Sequence, residues 1–109
     1  MPILAPFLMT LAGANEATVA RADVLNQLYV ECLFDVSRQA NQRSVDVIAF
    51  PGLLAASCSS ERSLLREVLI AVLQQRGLSQ AAAGAEWAAL EAQARSSVER
   101  AYSLGRQGP

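Results

Sequence analysis

The sequence predicts an all-α protein, a small helical bundle with two or three long helices at about 16–40, 60–76 and 79–104, joined by short helical pieces. Three observations carry this. Apolar residues recur at i, i+3, i+4 and i+7 along the first and last of these runs. Helix starts and stops punctuate the second half of the chain. The β-branched stretch at Val45, Val47 and Ile48 has no second strand-like run to pair with. A length of 109 residues fits one domain spanning 1–109.

Residues 1–15 carry no charged side chain. Pro6 suits a first helical position, with Phe7, Leu8 and Leu11 forming an apolar turn that Gly13 ends. Ala12-Gly13-Ala14 matches a signal-cleavage pattern. However, no Lys or Arg precedes the apolar stretch, and Pro2 and Pro6 interrupt it, so the expectation is mature structure rather than a signal peptide. The segment is also too short for the ~20 apolar residues that a bilayer span needs.

Asn15 is a good N-cap for the first long helix, with Glu16 in its first turn. Its expected core stripe is Leu25, Leu28, Tyr29, Cys32, Leu33, Val36 and Ala40. Gln27, Glu31, Asp35 and Arg38 lie opposite, as a solvated face. Val30 and Phe34 form a second apolar pair off the main stripe, which suggests burial on more than one side. Residues 41–58 read as irregular. Ser44 is a candidate cap for a short turn, and Phe50-Pro51-Gly52 should leave the helical region before Leu53–Ala56 adds one more turn.

Ser59 or Ser60 is the expected cap of the second long helix. Glu61 lies in its first turn, Arg76 in its last, and Gly77 stops it, with Leu78 placed for the apolar contact of a Schellman end. Eight of the ten residues from Leu64 to Leu73 are apolar, the mark of a helix at the centre of a bundle. Ser79 caps the last helix, which runs to about Leu104 and Gly105. Its stripe is Trp87, Leu90, Ala94, Val98, Ala101 and Tyr102, and Glu91, Arg95 and Glu99 form an i, i+4 ladder beside it.

Composition closes many chemical routes. There is no His, and all nine basic residues are Arg. Ser-His-Asp and Cys-His nucleophile systems, Walker A loops and Schiff-base lysines are therefore impossible. Two cysteines without a CxxC pair cannot build a structural zinc site alone. Cys32 lies on an apolar stripe, where it reads as a small hydrophobe. Cys58 precedes a helix start, where a thiol gains reactivity, and a bond between the two remains open. No catalytic residue, cofactor or metal is expected. A formal net charge of -1 argues against non-specific nucleic-acid binding.

Leu73-Gln74-Gln75-Arg76-Gly77-Leu78-Ser79-Gln80-Ala81 resembles the opening of repressor-type helix-turn-helix domains. That resemblance covers about nine residues. It implies a short second helix from Gln80, a turn for which only Gly84 is suited, and a recognition helix reading DNA.

Charged residues are 17% of the chain, against a usual ~25%, and 52% are apolar. The predicted faces are more than one small core needs, and exposed apolar patches mark interfaces. The expected function is a non-enzymatic protein–protein interaction subunit: an adaptor, assembly factor, chaperone or structural component. Its partner would be a protein or a second copy, and it would reside in the cytoplasm or inside an assembled complex. Phe7, Leu8, Leu11, Val30, Phe34, Trp87 and Leu90 are the candidate contact residues. The alternatives are a small helix-turn-helix regulator and a peripheral membrane protein using residues 1–12.

Overall fold

The structure is a computed structural model that describes residues 16–106. Phe7, Leu8, Leu11 and the Asn15 cap lie outside the described residues. Four helices and no strand are found among the described residues: α1 (Glu16–Gln42), α2 (Phe50–Ala56), α3 (Ser59–Gln75) and α4 (Gln80–Arg106). At 1.5 Å per residue, α1 and α4 are each about 40 Å long. α1, α3 and α4 pack on one another as an up-down-up bundle, and short α2 closes one end against α1 and α4.

The core takes Tyr29, Leu33 and Ala40 from α1, Phe50 and Leu54 from α2, Leu65, Leu69, Val72 and Leu73 from α3, and Trp87, Val98 and Tyr102 from α4. The α4 stripe matches the sequence reading, apart from exposed Ala101 and only partly buried Leu90. α3 is less wrapped than expected: Leu64 is exposed, and Ile70 and Ala71 are half-buried. The α1 stripe holds for Tyr29, Leu33 and Ala40, which are buried, and for Leu25 and Val36, which pack against the core, and is corrected at Leu28. Its buried residues are Ala22, Asn26, Tyr29, Leu33 and Ala40, a face turned roughly 50° from the expected one. Ala22 and Asn26 pack inward, and Leu28, the expected core residue, is exposed. A periodicity that counts only large apolar side chains misses small and polar members of a packed face.

Both long-helix ends before a turn are Schellman motifs. At the end of α3, Gly77 sits at φ 110, its N–H donates to the Gln74 carbonyl, and the Leu78 N–H donates to Leu73. Leu78 packs on the core, as expected. At the end of α1 the same bonds run from Ser44 to Asn41 and from Val45 to Ala40, with Ser44 at φ 55. Ser44 therefore terminates α1 rather than capping a following turn. Asp46 then makes the next bend, its carboxylate accepting from the Ile48 N–H at 2.9 Å while its carbonyl accepts from Ala49 and Phe50.

Two further expectations are revised. Pro51 does not break a helix but sits in the first turn of α2, where a missing N–H costs nothing. The α3 cap is neither Ser59 nor Ser60: Cys58 occupies the position at φ 61, with no side-chain cap bond. Its backbone is fixed instead by a disulfide to Cys32 in the middle of α1, with the two Cα atoms 6.0 Å apart. Ser79 does cap α4, accepting from the Ala82 N–H at 3.1 Å.

The α1–α4 end is tied twice. Tyr102 stacks on Phe50 with ring centroids 3.9 Å apart, and its hydroxyl donates to the Val45 carbonyl. Arg106 donates to the Asn41 side-chain oxygen at 3.1 Å.

Three measurements check this architecture. Gly77→Ala should lower unfolding free energy by about 1 kcal/mol, because alanine resists positive φ. Gly84→Ala should raise it by about 0.5–1 kcal/mol, since the site is mid-helix with open space for a Cβ. Reduction of Cys32–Cys58 in the presence of a chelator should cost about 3.5 kcal/mol in urea denaturation, the chain-entropy value for a separation of 26 residues.

Candidate functional site

The bundle gathers its buried polar groups at one level. Tyr29 of α1, placed by its apolar stripe, turns its hydroxyl toward α4 and donates to Glu91 Oε2 at 3.0 Å. Arg62, one turn into α3, donates from Nε to the Tyr29 hydroxyl at 3.5 Å and stands 3.5 Å from the same Glu91 oxygen. Its guanidinium also lies 5.8 Å from the Tyr29 ring centroid, within cation–π range. Arg95, one turn along α4, pairs with both Glu91 oxygens. One carboxylate thus collects a phenol and two guanidinia from three helices.

Arg62 has a further partner. Its Nη2 donates to the Ser57 carbonyl at 2.7 Å, which ties the cluster to the residue before Cys58. Beside the cluster, Asn26 is 2% exposed and its Nδ2 has no protein partner. It lines a cavity of about 10 Å3 with Tyr29, Leu65, Trp87, Leu90, Glu91 and Ala94. That space is near the minimum for one water molecule.

Burial is the main reason the Tyr29 phenol is held above its ordinary value of 10.0. The Arg62 hydrogen bond opposes this, and the nearby Glu91 charge adds to it. The bond to Glu91 likewise holds the Arg95 guanidinium above its usual range. Every base in the cluster is arginine, which does not release a proton in proteins, and no nucleophilic side chain joins it. The arrangement suits a structural clamp.

Of the sequence-derived contact residues, Val30 and Phe34 share one open groove of about 510 Å3 with Glu31, Asp35 and Arg38. Phe34 is exposed and Val30 half-buried on the outer side of α1. Trp87 is only 7% exposed and Leu90 packs on the core, so both serve the chain's own interior. Large apolar side chains that do remain exposed include Val24, Leu28, Ile48, Leu53, Leu64 and Leu104. Val24 and Leu28 lie one turn apart on α1. Leu64 borders an open groove of about 460 Å3 between α1 and α3, with Arg21, Glu67, Val68 and Ala71 among its walls. The sequence reading missed Leu28 and Leu64 as surface residues because each fits a helical apolar pattern. It also missed Arg62 and Asn26. Tyr29 on an otherwise apolar stripe was the available signal, since a buried phenol needs a partner.

The expected i, i+4 pair Glu91–Arg95 is formed, and it also joins the clamp. Arg38 pairs with Asp35 on the exposed face. The helix-turn-helix geometry is not present at its expected place: Gln80–Arg106 is one continuous helix through Gly84. No described helix is long and apolar enough to cross a membrane. No protein family, curated protein or solved structure matches this chain.

The raised Tyr29 pKa sets a pH dependence. The folded state holds the phenol proton more tightly than the unfolded chain, so this contribution is complete below about pH 10 and is lost as pH climbs through the folded value. Denaturation curves between pH 9 and pH 11.5 should fall more steeply for the wild type than for Tyr29→Phe. Parallel curves would remove Tyr29 as the responsible group.

Proposed function

We propose that the chain is a non-enzymatic protein–protein interaction subunit, and that the first partner of its α1–α3 face is a second copy of itself. The observation that carries this reading is the outward apolar set Val24, Leu28 and Leu64, which are 54%, 48% and 44% exposed. Single exposed apolar residues are ordinary, whereas grouped ones mark interfaces; Val24 and Leu28 are one turn apart on α1, and Leu64 borders the α1–α3 groove. The formal net charge of -1 leaves little electrostatic repulsion against self-association. The groove rim offers one charge of each sign, Arg21 and Glu67, which allows a self-complementary contact.

The clamp supports the same reading from the other direction. The polar groups best placed for chemistry are engaged with one another and hold helices together. A chain so arranged contributes shape and surface rather than turnover. The paired cysteines bear on its setting. Disulfides persist in oxidising surroundings and are rare in the cytosol, so the bond favours an oxidising compartment over the cytoplasm expected from sequence.

Light scattering after size exclusion, on the oxidised chain, tests the proposal. A mass of two or more chains is expected. Leu28→Asp combined with Leu64→Asp should weaken association at least tenfold, since each buried leucine is worth about 1.5–3 kcal/mol. A chain that stays monomeric at high concentration and binds no apolar dye overturns the reading.

A further inference from the structure

The Cys32–Cys58 bond has a third group beside it. The two Sγ atoms and a Glu61 carboxylate oxygen all lie within 4.8 Å of one another. Local structure explains the convergence. Cys58 is the N-cap of α3, and Glu61 lies three residues later in the first turn of that helix. Cys32 arrives from the middle of α1. All three residues are half-buried, so solvent and ions reach them.

While the disulfide stands, neither sulfur carries the charge a metal needs. A dithiol reductant changes this. Two electrons and two protons pass to the bond, the S–S link breaks, Cys32 and Cys58 become thiols, and the reductant leaves as its own disulfide. Three ligand groups then face one another. Two thiolates and a carboxylate suit a borderline-soft divalent cation of the zinc class, with water in the fourth tetrahedral position. Thiolates on such an ion stand roughly 3.8 Å apart, given bonds of ~2.3 Å. Side chains whose Cα atoms are 6.0 Å apart reach that spacing by rotation about χ1. The helix N-terminus at Cys58 favours its thiolate form. Binding releases the two thiol protons, so atoms and charge balance.

We propose that Cys32, Cys58 and Glu61 form a redox-gated site: a disulfide under oxidising conditions, and a three-ligand site for one zinc-class divalent cation when reduced. The two states exclude each other, because the same sulfurs serve both.

The full chain, reduced with excess phosphine under anaerobic conditions, provides the test. One equivalent of Co2+ should give thiolate-to-cobalt charge-transfer absorption that Zn2+ abolishes. The oxidised chain should give none. In competition with a chromophoric chelator, Glu61→Gln should bind Zn2+ at least ~10-fold more weakly, since even an outer-shell partner is worth that much. Glu67→Gln, whose carboxylate lies outside the cluster, should bind like the wild type. Should reduction alone unwind the helices, one equivalent of Zn2+ must restore the far-UV signal. Absence of charge transfer at one equivalent, failure to restore helix, equal binding by the oxidised chain, or wild-type affinity in Glu61→Gln would each overturn the proposal.

Discussion

The Cys32–Cys58 bond fixes the relation on which the other contacts build. It joins the middle of α1 to the first residue before α3, and so sets how far the two antiparallel helices slide along each other. One turn beyond Cys58, Arg62 is then opposite Tyr29, and its other nitrogen returns to the Ser57 carbonyl. From that position Arg62 and Tyr29 both reach Glu91, which positions α4. A single covalent link thereby sets the register of a polar cluster spanning three helices. The apolar core supplies most of the cohesion, but leucine and valine contacts are tolerant of sliding and the clamp is not.

Beside the clamp, Asn26 carries a cost of its own. Its Nδ2 is buried without a protein partner, an arrangement worth roughly 1–3 kcal/mol against folding. A carboxylate with two guanidinia is likewise no bargain in an apolar interior. Its placement is therefore informative. Glu91 and Arg62 are only partly buried, at the edge of the core, where solvent still relieves some of the desolvation while the geometry specifies one packing.

Local signals in the sequence were strong enough to place the helices. Gly77 with Leu78, and Ser79 before Gln80, encode a stop and a start in adjacent residues, and the structure uses both. Tertiary constraint overrode local preference in three places. Ser44 takes the left-handed position that glycine would favour, because Val45 packs on the core when α1 ends there. Cys58 displaces two better-capping serines because the disulfide holds it. The α1 face rotates because Ala22 and Asn26 pack inward, which no count of large apolar residues reveals. The candidate site was less legible for the same reason. Tyr29, Arg62 and Glu91 are separated by 33 and 62 positions from their partners, and no local spacing links them.

The two surface features of the bundle share a flank. Leu28 and Cys32 are one turn apart on α1, and Glu61 and Leu64 are one turn apart on α3. The apolar set and the sulfur–carboxylate corner are therefore neighbours on the same helix pair. Opening the disulfide frees Cys58 from the bond that holds its backbone, and the first turn of α3 carries both Glu61 and the approach to Leu64. One turn of helix separates the corner from the apolar face on each of α1 and α3. The proposed association surface and the proposed redox site therefore share one helix pair. The helix start that leads to Leu64 is the one that the cysteine pair joins to α1.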